Sequence, residues 1–166
     1  MATQGSVRPV RPDEVAELFA MICELAEFER SRHEVQSSAQ DFALALFGAD
    51  PKLFALVVEH DGELGGFAVW YVNFSTWSGK HGIYLEALYV RPHLRGHGYG
   101  KALLAELARI CVERGYARLE WWVLDWNTTA ISFYRSIEAL SMDQWTVNRL
   151  TGEALERAAQ GWQIAT

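Results

Sequence analysis

The 166-residue sequence has two cysteines, no apolar stretch near the roughly 20 residues that span a bilayer, and no stripe of basic residues. Cys23 and Cys111 fall on the apolar faces of predicted helices, where cysteine behaves as a small hydrophobic residue, so no disulfide framework is expected. No charged segment followed by an apolar one stands at the N-terminus, which predicts a cytoplasmic protein with no membrane partner.

Charge and histidine placement narrow the kinds of partner further. Fifteen Lys and Arg residues against 21 Asp and Glu give a formal charge of -6, and the basic residues are dispersed along the chain. The net acidity and the dispersed basic residues argue against nucleic acid as a partner and favour a cationic small molecule. An equally open alternative is that the acidity merely keeps the protein soluble. The five histidines are scattered without metal-ligand spacing, so no metal is expected.

The length of the chain predicts one domain over residues 1–166, and the order of its predicted elements makes that domain α/β. Strands are predicted at 7–10, 53–59, 65–74, 81–90, 117–124 and 145–150, and helices to residue 28, at 41–47, 101–114 and 127–137, and from residue 153. Asp61-Gly62 supplies the positive-φ positions of a tight hairpin turn. Hairpins in the first half and βαβ units in the second predict a mixed sheet with helices on both faces.

The most informative motif is the loop Arg95-Gly96-His97-Gly98-Tyr99-Gly100, between a strand-like run and a helix-like run. Glycine allows positive φ and close approach to a ligand, and the amides that open a helix attract an anion. The loop therefore predicts a diphosphate site, although an ordinary tight turn would give a similar cluster. Neither the dinucleotide-binding nor the P-loop glycine pattern is present.

Two further side chains could provide acid-base chemistry near this loop. Glu86 lies in the strand before it, where two residues span about 7 Å, and Tyr134 follows Asn127 in a later helix. Ligands collect beyond the carboxyl ends of strands in open α/β sheets, so both could serve one crevice. Alternatively, Glu86 is a charge that keeps an edge strand soluble, and the Tyr134 hydroxyl merely reaches solvent.

Several motifs resemble one enzyme superfamily. The spacing Arg95-x-x-Gly98-x-Gly100 is similar to the R/Q-x-x-G-x-G/A signature of the GNAT N-acetyltransferases. The runs 84–90, 123–127 and 133–134, with 24–29 and 77–80 upstream, resemble the spermidine/spermine and thialysine acetyltransferases of that superfamily. The resemblance extends from Val7 to about Leu155. It implies the GNAT fold, with a mixed, mostly antiparallel central sheet and helices on both faces, and a homodimer.

The resemblance also implies a co-substrate, acetyl-CoA, and a role for each matched position. Backbone groups of 88–90 would pair with the pantetheine arm, and amides of 95–101 would bind the diphosphate. Tyr134 would be the general acid and Glu86 the general base, acting through water. The implied cofactor-binding residues are Leu88, Tyr89, Val90, Arg95, Gly96, His97, Gly98, Tyr99, Gly100, Lys101, Asn127 and Tyr134. The implied substrate-binding residues are Phe28, Glu29, Trp77, Glu86, Asp143 and Trp145.

The chain departs from the polyamine enzymes at three places. Ala87 stands where they have a second acid after Tyr-Leu, which favours a short amine or lysine-like amino acid over spermidine. Glu138 replaces a glycine after the tyrosine helix; a positive φ there would cost on the order of 1 kcal/mol, which predicts a rebuilt helix end. The segment between Tyr134 and Trp145 is shorter, which weakens the alignment of Asp143.

Three functions are compatible with these motifs. The first is transfer of the acetyl group from acetyl-CoA to a primary amine of a small molecule, directly in a ternary complex. The second is a catalytically silent regulator that binds acetyl-CoA, but a sensor has no need for both Glu86 and Tyr134. The third is acetylation of a protein N-terminus or lysine, for which an open peptide groove would be expected.

Overall fold

The computed structural model describes residues 5–161, which form two compact units, one ending at Trp122 and one beginning at Val123. The first unit contains the strands β1 (Ser6–Pro9), β2 (Phe54–His60), β3 (Glu63–Ser75), β4 (Lys80–Val90) and β5 (Leu119–Glu120) and the helices α1 (Val15–Phe28), α2 (Ala39–Phe47) and α3 (Tyr99–Glu113). The second contains the helices α4 (Thr128–Ser136) and α5 (Gly152–Ala159). The single domain over residues 1–166 stays a prediction.

The strands form one sheet in the order β1-β2-β3-β4-β5, antiparallel except for the parallel pair β4-β5. Alternate residues of each strand face opposite sides of such a sheet. Val57 and Phe67 are buried against α1 and α2, whereas their neighbours Leu56 and Ala68 are buried on the side that carries α3. The predicted mixed, mostly antiparallel sheet with helices on both faces is therefore confirmed.

The β2-β3 hairpin turns at the predicted dipeptide. Asp61 and Gly62 adopt φ values of 52° and 83°, the left-handed pair that a two-residue turn between twisted strands requires. The turn brings His60 opposite Glu63. The hairpin prediction is confirmed; β2 has the predicted length but is shifted by one residue from 53–59, and β3 extends beyond the predicted 65–74 at both ends.

One extra residue interrupts β4. Val69 lies opposite Ala87 and Trp70 lies opposite Leu85, so Glu86 is a bulge without a partner in β3. A bulge lets the strand bend and shifts the alternation of its side chains by one position. Ala87 and Tyr89 consequently pack on the α1 side, while Leu85 remains buried on the α3 side.

Two strand predictions need correction. Of residues 117–124 only Leu119 and Glu120 form a strand with β4, with Ala117 N–H and Arg118 O also hydrogen-bonded to that strand, and the pairing ends at Tyr84, two residues before the bulge that disrupts the regular ladder of β4. Residues 145–150 form no strand. Their apolar side chains Trp145, Val147 and Leu150 are exposed, and strand propensity depends on a neighbouring strand against which such side chains can pack.

Three helices end in the same hydrogen-bonding pattern. Beyond α4, Ala139 N–H donates to Tyr134 O and Glu138 N–H donates to Arg135 O, at 3.1 and 3.0 Å. This is a Schellman motif, whose turning residue needs a left-handed conformation. Glycine takes that place after α3, whereas Arg30 takes it after α1 and Glu138 after α4, both at positive φ. The predicted rebuilding of the α4 end is wrong, and Glu138 is strained instead.

Replacing Glu138 by glycine should therefore stabilise the protein. Its φ of 63° costs a side-chain-bearing residue on the order of 1 kcal/mol, and glycine lacks the clashing Cβ. We expect Glu138→Gly to raise the free energy of unfolding by about 0.5 kcal/mol or more in urea titrations. Glu138→Ala is the matched control, because it removes the charge and keeps the Cβ. Equal stability of the two variants would contradict the strain.

Candidate active site

The glycine loop has the backbone conformation that the sequence predicts. Gly96 and Gly98 adopt φ values of 82° and 83°, and α3 begins at the next residue, Tyr99. A Cβ placed on Gly96, Gly98 or Gly100 would meet no atom within 4 Å, so the space in front of the loop is open. The first amides of a helix lack intrahelical acceptors and carry a partial positive charge. The loop therefore fits an anionic group such as a diphosphate.

Aromatic contacts anchor the loop to the sheet. The Tyr99 hydroxyl lies 2.6 Å from His60 Nδ1 at the end of β2, and the tyrosine ring is buried. The His97 ring stacks on Tyr99 at 6.0 Å, and its Nδ1 lies 3.2 Å from the carbonyl oxygen of Leu94, within hydrogen-bonding distance. These contacts hold the loop and the start of α3 in place before a ligand arrives.

The side chain of Arg95 turns back from the loop toward α1. Its Nε donates to the Val90 carbonyl at 2.9 Å, and the guanidinium lies over the rings of Phe28 and Tyr89, at 5.3 and 5.7 Å from their centroids. One side chain thus connects the predicted cofactor loop with Phe28, a predicted substrate-binding residue. It also engages Val90 O, one of the backbone groups predicted to face pantetheine.

The outer edge of β4 is open beside this loop. Within the described part of the chain, β4 pairs with β5 at Ile83 and Tyr84 alone, so the later backbone groups of β4 have no strand partner on that side. Such an edge can pair with an extended ligand in the way it would pair with a strand. Leu88 and Tyr89 remain candidates for contacts with the pantetheine arm.

Glu86, the predicted general base, is exposed at the bulge. Partial burial and the charge of Glu86 together raise the pKa of the Tyr71 hydroxyl above its ordinary value. Tyr71 lies two residues beyond Val69 on β3, so it faces the same side of the sheet as α1. The charge of Glu86 is thus felt by a hydroxyl group on that face of the sheet.

Two carboxyl groups, one within α1 and one directly after its last residue, lie in contrasting surroundings. Glu29 caps the C-terminal end of the helix, and burial raises its pKa. A cation placed beside it would offset this desolvation. Glu24, by contrast, accepts hydrogen bonds from Arg91, whose guanidinium lowers its pKa. Arg91 also donates to Glu17 at 2.6 Å and to Leu64 O at 2.9 Å, so it ties α1 to the end of β4.

The remaining predicted site residues are divided between the two units. In the second unit, the Asn127 side chain accepts from Ala130 N at 3.2 Å and caps α4, which carries Tyr134 packed against Phe133 at 5.5 Å. Asp143 and Trp145 lie in an irregular segment and are exposed. In the first unit, Trp77 is 89% exposed in the β3-β4 turn. Their roles stay predictions.

Sequence reasoning missed three aromatic residues near Glu86. Tyr71 and Tyr84 are register partners with ring centroids 5.1 Å apart, and the Trp122 ring meets Tyr84 at 5.6 Å and 81°. We call Tyr71, Tyr84 and Trp122 the aromatic cluster. Tyrosine is common in strands for packing reasons, so only the Tyr84-Leu85-Glu86 run carried a signal for any of the three.

Neither a membrane helix nor a metal cluster is found in residues 5–161. No helix there has the length and apolar character to cross a bilayer. The same residues contain no group of three His, Cys, Asp or Glu side chains placed to hold a metal ion.

Residues 16–137 match the family model described as the acetyltransferase (GNAT) family. The chain is 32% identical over 164 residues to the thialysine N-epsilon-acetyltransferase of Mus musculus, covering 92% of this chain and 96% of that protein. It is 38% identical over 97 residues to an L-ornithine N5-acetyltransferase of Arabidopsis thaliana, covering 58% and 42%. A solved integron cassette protein of V. cholerae superimposes with a TM-score of 0.79 at 25% identity, over 95% and 98% of the chains.

Substitution of Gly100 should separate acetyl-CoA affinity from stability. Gly100 lies in the first turn of α3 with open space at its Cβ, so a side chain there adds no clash. A glutamate near a helix N-terminus stabilises the helix but repels a diphosphate. We expect Gly100→Glu to raise or maintain the melting temperature while weakening acetyl-CoA binding at least tenfold in calorimetry. Gly100→Gln is the size-matched neutral control, and unchanged affinity in Gly100→Glu would exclude the loop as the diphosphate site.

Proposed function

This chain belongs to the GNAT acetyltransferase family, whose co-substrate is acetyl-CoA, and we propose that it acetylates a primary amine of a short diamine or lysine-like amino acid. Glu86 acts as general base through a water molecule, and Tyr134 acts as general acid. The observation that carries the proposal is the bulge in β4, which presents an exposed carboxylate beside the open strand edge and ahead of the anion-binding loop.

The chemistry assigns one proton transfer to each residue. The amine nitrogen forms a bond to the thioester carbonyl carbon, the carbon–sulfur bond breaks, Glu86 takes the proton from the amine, and Tyr134 supplies one to the leaving sulfur. The thioester is already activated, so no covalent enzyme intermediate is needed. An alkylamine with a pKa near 10.4 is about one part in 2,500 neutral at pH 7, a barrier of roughly 4.6 kcal/mol that a base offsets in part.

The acceptor class rests on the relatives and on position 87. The mouse and Arabidopsis proteins are named for thialysine and ornithine, which each carry two amino groups on a short chain. Ala87 has a methyl side chain, partly buried against the core, and so provides no second carboxylate for a long polycation. Glu29, whose pKa is raised by burial, is one candidate for contact with a cationic group of the acceptor. A cytoplasmic homodimer is part of the same proposal.

Removal of the Glu86 carboxylate should produce a pH-dependent defect. At pH 7 we expect Glu86→Gln to lower kcat/KM by about 10²- to 10³-fold, because the variant reacts only with the rare neutral form of the amine. Its rate should then rise about tenfold per pH unit toward the amine pKa near 10.4, and the deficit should shrink. A pH–rate profile of both proteins with thialysine makes the comparison. A deficit of equal size at every pH would rule out the role as base.

Tyr134→Phe should lower kcat by about 10²-fold or more while acetyl-CoA affinity changes only a few-fold, because the hydroxyl protonates the leaving thiolate. Pre-steady-state measurement of the chemical step with thialysine checks the effect. Tyr116→Phe removes a hydroxyl from a tyrosine with no assigned role and should leave kcat within twofold. Near-normal chemistry in Tyr134→Phe would mean that another group protonates the sulfur.

A further inference from the structure

The aromatic cluster forms a surface for a cation next to the proposed base. Tyr71 and Trp122 are 36% and 59% exposed, and Tyr84 lies between them with its ring edge-on to Trp122. The faces of such rings attract an ammonium, and tryptophan attracts it most strongly. All three residues belong to the first unit, as does Glu86.

We propose that the aromatic cluster of Tyr71, Tyr84 and Trp122 binds the second, non-reacting ammonium of the acceptor and thereby selects acceptors with two amino groups. This inference rests on the proposed function and specifies the acceptor class of the same site. No role at any of these three positions follows from the sequence motifs.

The cluster must hold the distal amine, because the reacting amine has to lose its proton whereas the distal amine keeps its proton. Contact with aromatic faces stabilises the protonated form and raises the pKa of an amine, which would oppose attack by the reacting nitrogen. That nitrogen belongs beside Glu86, which removes its proton. The distal nitrogen stays protonated throughout and gains from the rings at every step.

The spacing along β4 matches a short acceptor. Tyr84 and Glu86 are two residues apart, a separation of about 7 Å along a strand and somewhat less across a bulge. Tyr71 connects the two positions, since it pairs with Tyr84 and its hydroxyl pKa responds to the charge of Glu86. A chain of lysine or ornithine length spans this distance, whereas a longer polyamine would extend beyond it.

A matched set of acceptors tests the cluster directly. Cadaverine and n-hexylamine differ in that hexylamine carries a methyl group where cadaverine has its second ammonium. Calorimetry with CoA present, which has no acetyl group and allows no turnover, should give tighter binding of cadaverine to the wild type. Tyr71→Leu or Trp122→Leu should reduce that preference by about three- to thirty-fold.

Two controls separate the rings from other contacts. Tyr71→Phe keeps the ring and loses the hydroxyl, so its preference should stay within twofold of the wild type. (5-Aminopentyl)trimethylammonium cannot donate hydrogen bonds from its quaternary end, yet it should bind within threefold of cadaverine, because a ring face does not need a donor. Circular dichroism checks folding, and the two leucine variants provide independent measurements at exposed positions.

Three results would overturn the proposal: an unchanged preference in both leucine variants, an equal loss in Tyr71→Phe, or a more than tenfold loss for the quaternary probe. The last result would assign the distal amine to a carboxylate such as Glu29. Ring-dependent cadaverine binding in a protein that transfers no acetyl group would support the cluster and contradict the proposed function. Acetyl transfer by a protein whose cadaverine binding does not depend on the rings would support the proposed function and contradict the role of the cluster.

Discussion

The extra residue in β4 is the constraint on which the site depends. If β4 paired with β3 without interruption, Ala87 and Tyr89 would face α3, and the packing of α1 against the end of the strand would be lost. The bulge instead leaves Glu86 without a partner in β3 at an exposed position, two residues beyond the end of the pairing with β5. The exposed carboxylate therefore depends on the bulge, and the aromatic cluster and the open strand edge lie directly beside it along β4.

Two arginines fix the parts that surround this bulge. Arg91 joins the end of β4 to Glu24 and Glu17 of α1, and Arg95 lies between the rings of Phe28 and Tyr89 while it donates to Val90 O. Both side chains act at the junction of α1, β4 and the glycine loop, so the backbone that meets the ligand is held from two directions. A loop ordered before binding loses less conformational entropy when the ligand arrives.

The sequence predicts those features that local chemistry determines. The glycines at 96 and 98 and the Asp61-Gly62 turn adopt the expected positive φ because few other residues tolerate it. The bulge could not be predicted, since strand alternation gives no sign of an inserted residue until the partner strand is known. The segment 145–150 has strand-like side chains but no strand, and Glu138 keeps a strained conformation where rebuilding was expected, because hydrogen bonds of the whole helix end outweigh one residue's preference.

The proposed acceptor with two amino groups makes opposite demands on the site at its two ends. One nitrogen must lose its proton, so it needs a base and no competing stabilisation of its charge. The other gains most where its charge is retained, and aromatic faces provide this without the desolvation that a buried carboxylate pays. In the proposed site, Glu86 and the aromatic cluster would supply these two environments, with Tyr84 and Glu86 two residues apart on β4. Ala87 adds no second carboxylate to this arrangement, so a further ammonium group of a longer polyamine would find no anionic partner at that position.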